Sequence, residues 1–375
     1  MKVEQLSLKD NSWNDVVSQI QIIPNILLLF VSPLFKEKQL LVKKLNELYP
    51  NSTVVGCSTA GEISGINVSD KSVALTAIEL EKVSHKLKKV AVNSMNDSFD
   101  AGVALAQQLD AKDLKHVLVF SDGLNVNGAD LVSGLKSVLP ETSITGGLAA
   151  DGSDFNETFV IANNNIADKV IVGLGFYGDQ LKIGFSSKGG WDSFGIDRLV
   201  TKSSKNVLFE LDGLPALELY KSFLGDNAKN LPSSGLLFPL SMRVNMHDAP
   251  VVRTILGINE KDQSLTFAGN IPEGAYVRLM KANVDHLISG AEDSAKNVLK
   301  ATKGNAELAI LISCVGRRLV LKQLVEEEVE VVKEIVGDQP KITGFYSYGE
   351  IAPFGAFSPC ELHNQTMTIT TLSEC

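Results

Sequence analysis

One supersecondary unit occurs three times in the chain, and this repetition constrains the fold more than any other feature. In each copy, a short apolar run is followed by a segment with apolar residues at helical spacing, then by a second β-rich run that ends in a glycine-bounded turn. The copies begin at NILLLFVSP (25–33), HVLVFSDGL (116–124) and LAILISCVG (308–316). They end in GCSTAGEI (56–63), ITGGLAADG (144–152) and ITGFYSYGEIAP (342–353). The register of the first two copies is the same, because Phe30 to Gly56 and Phe120 to Gly146 are both separated by 26 residues.

A strand joined to a strand through a helix of about 15 residues is a parallel crossover, whose strands are buried on both faces. The pattern predicts an α/β fold of repeated strand-helix-strand units, with mixed sheets flanked by helices; the third copy contains a longer helix, over 318–336. Between the second and third copies, residues 181–195 and 253–283 are short β runs broken by Gly, Asn and Pro, which predicts antiparallel meanders around a helix at 216–224. A length of 375 residues favours two domains, 1–205 and 206–375, because apolar periodicity lapses near 205.

The turn Gly-x-x-[Ser/Thr]-x-Gly-Glu-Ile occurs in the first and third copies and has two interpretations. The structural one is that the glycines permit positive φ and close backbone approach, while the hydroxyl caps a turn. The functional one is that small residues leave room for a ligand, with Glu62 or Glu350 as a charged anchor at the carboxyl ends of the strands. The second copy has Gly152 at the Glu position, and this difference points to specialisation of the other two.

Two further features favour a ligand site at these turns. Arg317 lies between a strand and the start of a helix, where an anion is favoured and a guanidinium can grip a carboxylate with two hydrogen bonds. Tyr346 and Tyr348 alternate along an extended segment, so both phenols face one side; they are either ligand contacts or core aromatic residues. The predicted ligand-binding set is Cys57, Ser58, Thr59, Glu62, Asp122, Arg317, Tyr346, Ser347, Tyr348 and Glu350.

Composition excludes several classes of protein. A formal charge of −9 gives no field that attracts phosphates, so nucleic acid is not expected as a partner. The most apolar early stretch, 22–35, is interrupted by two prolines and is too short for a bilayer span, so membrane insertion is not expected. The four cysteines form no CxxC pair or zinc spacing, which favours free thiols in the cytoplasm.

Neither a catalytic nor a metal-binding pattern is found. Cys57 follows a strand at a glycine turn, where a nucleophile could sit, but no histidine is fixed beside it by spacing. We therefore expect that the chain is not an enzyme, and we keep a cysteine-dependent hydrolase as a second alternative. The histidines form no metal motif, yet a single axial haem ligand leaves almost no signature, so His247, His286 and His363 stay open for that role.

The motifs taken together resemble a known family. The N-terminal FIST domain is resembled by four motifs of the first half, GCSTAGEI, LVFSDGL, ITGGLAADG and VGLGFYGDQLKIGFSSKGGWDSFG. The C-terminal FIST domain is resembled by four motifs of the second half, GLPALELY, LISCVGRR, ITGFYSYGEIAP and ELHNQTMT. The resemblance implies a cytoplasmic sensory module of signal transduction that binds a small ligand, with amino acids and other small carboxylates as candidates. It also implies a separate signalling partner such as a sensor histidine kinase. Some two-domain members of this size bind haem and respond to nitric oxide, so a haem-binding nitric-oxide sensor that regulates a histidine kinase is the first alternative.

Overall fold

The computed structural model describes residues 1–10, 12–109, 112–245, 250–302, 304–354 and 359–375. The first unit consists of β1 (Lys2–Lys9), α1 (Trp13–Val17), β2 (Ile26–Val31), α2 (Lys38–Leu48), β3 (Thr53–Ser58), β4 (Glu62–Ser64), β5 (Asn67–Ser69) and β6 (Ser72–Glu79). The second consists of β7 (Ser84–Ala91), α3 (Ser98–Gln108), β8 (Leu114–Ser121), α4 (Gly128–Val138), β9 (Ser143–Leu148), β10 (Val160–Ala162), β11 (Asn165–Ala167) and β12 (Val170–Tyr177).

The third unit begins with β13 (Leu181–Lys188) and is then interrupted by an insertion. The insertion consists of β14 (Trp191–Ser204), β15 (Val207–Leu211), β16 (Leu214–Pro215), α5 (Ala216–Leu224), β17 (Leu240–Arg243), β18 (Val251–Arg253), β19 (Ile255–Asn259), β20 (Ser264–Phe267) and β21 (Tyr276–Ala282). The third unit resumes with α6 (Val284–Thr302), β22 (Leu308–Cys314), α7 (Val315–Leu321), α8 (Glu327–Val336), β23 (Lys341–Ser347), β24 (Gly349–Pro353), β25 (Cys360–His363) and β26 (Met367–Glu374).

The predicted fold class is confirmed, and the three units have the same plan. In each unit the two strands of the crossover pair in parallel, as β2 with β3, β8 with β9 and β22 with β23. A returning strand then pairs antiparallel with the first of them, as β6, β12 and β26. The near-continuous apolar runs follow from this plan, because a central strand is covered on both faces.

The units exchange their short hairpins in a cycle. The β10–β11 hairpin of the second unit adds to the sheet of the first, whose strand order is β1-β6-β2-β3-β10-β11. The β4–β5 hairpin of the first unit adds to the third sheet, β13-β26-β22-β23-β4-β5, and the β24–β25 hairpin of the third adds to the second sheet, β7-β12-β8-β9-β24-β25. The predicted domain boundary near 205 stays a prediction, while segments on its two sides share two of these sheets.

The close approach of the parallel strands explains why each unit has a glycine at the same place. A Cβ atom on Gly56, Gly146 or Gly344 would lie 1.7 to 1.9 Å from a carbonyl oxygen of the neighbouring strand. Any side chain there would force the strands apart, because this separation is far below van der Waals contact. The glycines that open the turn motif are therefore required by the sheet.

The three units meet around aromatic side chains. Phe30 stacks on Phe345 with ring centroids 4.7 Å apart, and Phe120 meets Phe30 and Phe345 at 5.6 and 6.0 Å with its ring at a steep angle. All three rings are fully buried. Offset-stacked and edge-to-face pairs of this kind each contribute about 0.5–1.5 kcal/mol beyond the area they bury.

Two sequence predictions need correction. Residues 181–188 were expected in a meander, but β13 pairs antiparallel with β26, the place that β1 and β7 take in the other units. The helix predicted over 318–336 is broken, because Lys322 has a φ of 51°, which ends α7 before α8 begins. The predicted meander around β19 and β20 and the helix at 216–224 are both present. No helix in the described ranges is long and apolar enough to cross a membrane.

Candidate functional site

The glycine-bounded turns of the three units lie against one another. Ala60 donates its amide hydrogen to Tyr346 O at 2.8 Å, and Tyr346 N–H returns a bond to Gly61 O at 2.9 Å. Ala150 N–H reaches Ser58 O at 3.1 Å, and Tyr348 N–H reaches Leu148 O at 3.2 Å. The two Gly-Glu-Ile turns are thus direct neighbours, and their backbone polar groups are satisfied by each other.

The motif glutamates hold these turns to the start of the returning strand. Glu62 accepts hydrogen bonds from Thr59 Oγ1 and from Ser72 Oγ, the latter at 2.6 Å. Glu350 accepts from Ser347 Oγ at 2.6 Å and from Thr366 N and Oγ1 at 3.1 and 2.9 Å. Burial raises the pKa of Glu62 to about 7 and that of Glu350 to about 8, against the hydrogen bonds that favour their charged forms.

Asp122 makes the equivalent connection in the second unit, which has no glutamate in its turn. Its carboxylate accepts from Thr158 Oγ1 at 2.8 Å and from Lys169 N at 2.5 Å, just before β12 begins. The side chain is fully buried. The absence of the glutamate is therefore compensated by another carboxylate, and this geometry favours the structural interpretation of all three acidic residues.

Arg317 is buried in an ion pair. Its Nε and Nη2 lie 3.0 and 2.7 Å from Glu328 Oε2, and Nη1 donates to Gly189 O at 2.9 Å. Tyr346 donates its hydroxyl hydrogen to the other oxygen of Glu328 at 2.6 Å. Glu328 lies in an acidic run on α8, but it is fully buried, and its carboxylate points inward against Arg317.

The remaining turn residues are also enclosed. The Tyr348 hydroxyl donates to Asp151, and its ring stacks on Phe155 at 4.8 Å. Ser58 Oγ accepts from Phe159 N at 3.1 Å. Cys57 is fully buried, and desolvation raises the pKa of its thiol well above the usual value, so little thiolate forms. The ligand role of the ten predicted residues stays a prediction; the structure brings the turn residues together, but their polar side chains contact one another.

His286 and His363, two of the histidines kept open as haem ligands, each have a hydrogen-bond partner at one ring nitrogen. His363 is fully buried, its Nε2 donates to Ala352 O at 2.8 Å, and burial lowers its pKa to about 4. His286 lies at the surface with Nδ1 2.8 Å from Asp192. Neither histidine lines the cleft described next. His247 lies outside the described residues, and within those residues no three His, Cys, Asp or Glu side chains are arranged to hold a metal ion.

A cleft of about 560 Å³ lies where the insertion meets the second and third units. One wall is α4, a second is β17 with β18, and the third is the β24–β25 hairpin. Asn127 caps α4 by accepting bonds from Ala129 N and Asp130 N, and its amide donates to Asn270 Oδ1 at 2.7 Å, which ties α4 to the insertion. The shape of the cleft thus depends on contacts that hold its three walls together.

Arg253 forms the base of the cleft. It is only 6% exposed, and burial lowers its pKa to about 10, so it stays charged at neutral pH. Its Nε donates to Asn270 O at 3.1 Å and its Nη1 to Leu362 O at 3.0 Å, and these bonds fix the guanidinium plane. Nη2 has no acceptor among the described residues, although a buried charge usually has a charged partner.

A second arginine and a carboxylate complete the charges of the cleft. Arg243 lies at the rim, where its Nη2 donates to Asp197 and its Nε is buried with no acceptor in the described ranges. Asp197 also accepts from Arg278 Nε at 2.9 Å, outside the cleft. Glu361 lines the cleft as well and acts on Arg253 through its charge. Among the described residues, the lining therefore carries two positive groups and one negative group.

The sequence-based set does not include these three residues. Arg253 lies in a strand whose residues alternate between buried and partly exposed positions, and it occupies a buried one. An arginine at an inward-facing strand position is the signal that could have pointed to it, since charged residues are rarely buried without a partner.

Comparison with protein-family models identifies two domains in this chain. A FIST N domain matches residues 25–214 and a FIST C domain matches residues 216–353. The chain belongs to the FIST family, whose domains sense small ligands in signal-transduction proteins. The resemblance seen in the sequence is thereby confirmed. The ligand, the partner, haem binding and the cytoplasmic location stay predictions.

The chain is similar to two distant relatives whose names describe them as uncharacterized proteins. A protein of Methanocaldococcus jannaschii is 24% identical over 331 residues, which is 82% of this chain and 64% of that protein. A protein of Mycobacterium tuberculosis strain CDC 1551 is 21% identical over 232 residues, 60% of this chain and 59% of that protein. The matched region spans less than two thirds of the length of these relatives.

Two of the similar solved structures are cyanuric acid hydrolases. One, from A. caulinodans, aligns over 100% of this chain and 99% of its own with a TM-score of 0.38 and 9% identity. Another aligns over the same shares with a TM-score of 0.37 and 6% identity. The expectation that the chain is not an enzyme is contradicted by this finding, since both proteins are hydrolases, and we withdraw it. At these TM-scores the likeness assigns neither a reaction nor a catalytic residue to this chain.

Proposed function

We propose that the protein senses a small carboxylate that binds in the cleft, and that an acidic amino acid is the class that fits best. The observation that supports the proposal most directly is Arg253, a charged and nearly buried side chain at the base of the cleft with one donor nitrogen left over. A carboxylate would give this nitrogen an acceptor and would add a second negative charge to that of Glu361 near Arg253. A hydrogen bond to a charged group contributes about 1.5–3 kcal/mol.

The spacing of the charges supports a ligand with two acidic ends. Arg253 pairs with Leu240, three positions along β17 from Arg243, so the two backbones are roughly 10 Å apart at 3.3 Å per residue. Residues three apart on a strand have side chains on opposite faces, yet both arginines line the cleft, so a ligand with two carboxylates can contact both guanidiniums. Glu361 would then accept a hydrogen bond from the ammonium group of an acidic amino acid. Plain dicarboxylates would lack this third contact.

The walls of the cleft suggest how binding would be transmitted. A ligand that contacts α4, the β17–β18 pair and the β24–β25 hairpin stabilises one arrangement of the second unit, the third unit and the insertion. A ligand shifts such an equilibrium only by its difference in affinity for the two arrangements. The output we propose is a changed affinity for a separate signalling protein, with a sensor histidine kinase as the class that the family resemblance suggests.

Isothermal titration calorimetry and thermal shift assays with glutamate, aspartate, succinate and butyrate test the proposal. We expect glutamate or aspartate to bind most tightly, and a ligand at a hundred times its Kd to add about 2.7 kcal/mol to the free energy of unfolding. Arg253→Lys, which keeps the charge but loses the fixed fork, should weaken binding about 10-fold or more. Glu361→Gln should weaken the amino acids but not succinate.

Matched variants separate this cleft from the turns. Arg243→Gln should weaken binding, whereas Arg278→Gln removes the other partner of Asp197 outside the cleft and should leave the affinity unchanged. Glu350→Gln should also leave it unchanged, because Glu350 does not line the cleft. Loss of binding in Glu350→Gln with normal binding in Arg253→Lys would move the site to the turns and refute the proposal.

A further inference from the structure

The insertion contains a strand irregularity that opens a second cavity. Phe194 of β14 pairs with Leu279 of β21, and the next pair is Arg198 with Val277. Three residues of β14, 195–197, therefore lie opposite one residue of β21, and Gly195 has a φ of 74°, which favours glycine. The carboxylate of Asp197 is held by Arg243 and Arg278, which anchors this bulge.

The bulge leaves a cavity of about 260 Å³ beside α5. Its walls are hydrocarbon side chains from several strands together with two rings from α5. They include Leu240, Leu265, Leu279, Tyr220 and Phe223. The Tyr220 hydroxyl donates to Phe238 O at 2.7 Å, so its polar tip is already satisfied. An apolar cavity of this kind has no polar partners for water, which favours an apolar occupant.

The mouth of the cavity is also apolar, and the cationic side chain of Arg198 lies beside it. Ile196 is 66% exposed and Phe223 is 43% exposed, and both line the cavity. The guanidinium carbon of Arg198 lies 5.5 Å from the ring centroid of Phe223. Arg198 Nη1 donates to Asp212 at 3.1 Å, whereas its Nε and Nη2 have no acceptor in the part of the chain that the structure describes.

We propose that this cavity binds the hydrocarbon tail of a medium-chain carboxylic acid, with the carboxylate held at the mouth by Arg198. At about 30 Å³ for each non-hydrogen atom of a condensed phase, the cavity accommodates roughly eight carbon atoms. It is too small for a partner helix, whose diameter with side chains is about 10–12 Å. Arg198 is paired with Asp212 through Nη1, and its Nε and Nη2, which have no acceptor among the described residues, supply the hydrogen bonds that select an acid over a neutral hydrocarbon. The inference is independent of the function proposed above.

Calorimetric titration with octanoate, octanol and butyrate tests the proposal, with ¹³C-labelled methyl groups observed by NMR. We expect octanoate to bind saturably and to shift the methyl resonances of Leu240, Leu265 and Leu279. Butyrate should bind at least 100-fold more weakly, because each CH₂ that leaves water contributes about fourfold in affinity. Arg198→Gln should weaken octanoate about 10-fold and leave octanol unchanged. Lys202→Gln removes a charge from the same strand outside the cavity and should change neither.

Two variants locate the binding. Val277→Phe fills the cavity and should abolish binding of octanoate and octanol alike. If this variant does not fold, Ile196→Asp at the exposed mouth should still weaken both. Octanoate that fails to saturate, that binds unchanged after these substitutions, or that is lost instead in Arg253→Lys would overturn the proposal. Octanol that binds as tightly as octanoate would refute the role of Arg198.

Discussion

Replacement of Glu350 by Gln removes a buried acid without changing its shape, and it should make the protein less sensitive to alkaline pH. The pKa of Glu350 is raised to about 8 because the carboxyl is buried; hydrogen bonds from Ser347 and Thr366 and the charge of Arg317 oppose this rise. In the unfolded chain the same carboxyl has a pKa of about 4.5. The folded state therefore binds this proton more tightly, so its contribution to stability is complete below pH 4.5 and is lost as the pH rises through 8.

The magnitude can be isolated in a narrow pH window. Each pKa unit corresponds to about 1.4 kcal/mol, so Glu350 costs the wild type about 2 kcal/mol between pH 6.5 and 8. His116 and His363 have pKa values lowered by burial to about 3 and about 4, and their contribution has the opposite sign. Both histidines are present in the variant and in the wild type, so their contribution cancels in the difference between the two proteins. The difference between Glu350→Gln and wild type should thus grow by about 2 kcal/mol in favour of the variant.

Urea denaturation at pH 6.5, 7.0, 7.5 and 8.0 measures this difference, provided the m-value stays constant. Glu62→Gln is the matched control: with a pKa of about 7, its difference from wild type should grow by only about 0.7 kcal/mol and level off above pH 7. A Glu350→Gln difference that stays constant across the four pH values, or that grows in favour of the wild type, would refute the reasoning.

Two further measurements test the packing of the three units. Phe345→Ala should lower the free energy of unfolding by about 3–5 kcal/mol, because the ring is buried against Phe30 and Phe120. Phe99→Ala, at an exposed position, should lower the free energy of unfolding far less. Similar losses for the two variants in urea denaturation would contradict this prediction. Ellman's reagent should label Cys375 in the native protein and the three buried thiols only after unfolding, and a second native thiol that reacts as fast would contradict the burial described here.

The elements of the three units could be predicted from the sequence, because the patterns that define them are local. Unbroken apolar runs and helical leucine spacing give the crossovers, and the glycines mark where strands approach closely. The exchange of hairpins could not be predicted in this way. The strands involved, such as 62–64 and 160–162, have three residues each, and their partners are set by which neighbouring edge is left open.

The candidate site was harder to predict than the fold, since its residues come from separate parts of the chain. Cleft residues Arg243 and Arg253 lie more than a hundred residues beyond α4, which forms the opposite wall. The conspicuous motif residues Glu62 and Glu350 instead hold turns to strands. Arg317 was recognised as a charge at a helix start, but its partner Glu328 depends on a break in the helix that apolar periodicity does not reveal.

The exchange of hairpins among the units also affects when the protein can fold during synthesis on the ribosome. β4 ends at Ser64, yet its partner β23 begins at Lys341, so 277 further residues must be synthesised before the hairpin has an edge to join. At about 5–20 residues per second, this takes roughly 14 to 55 seconds. During that time, β4 of the nascent first unit lacks the strand with which it pairs. The exchange of hairpins among the three units is complete only when the third unit has emerged.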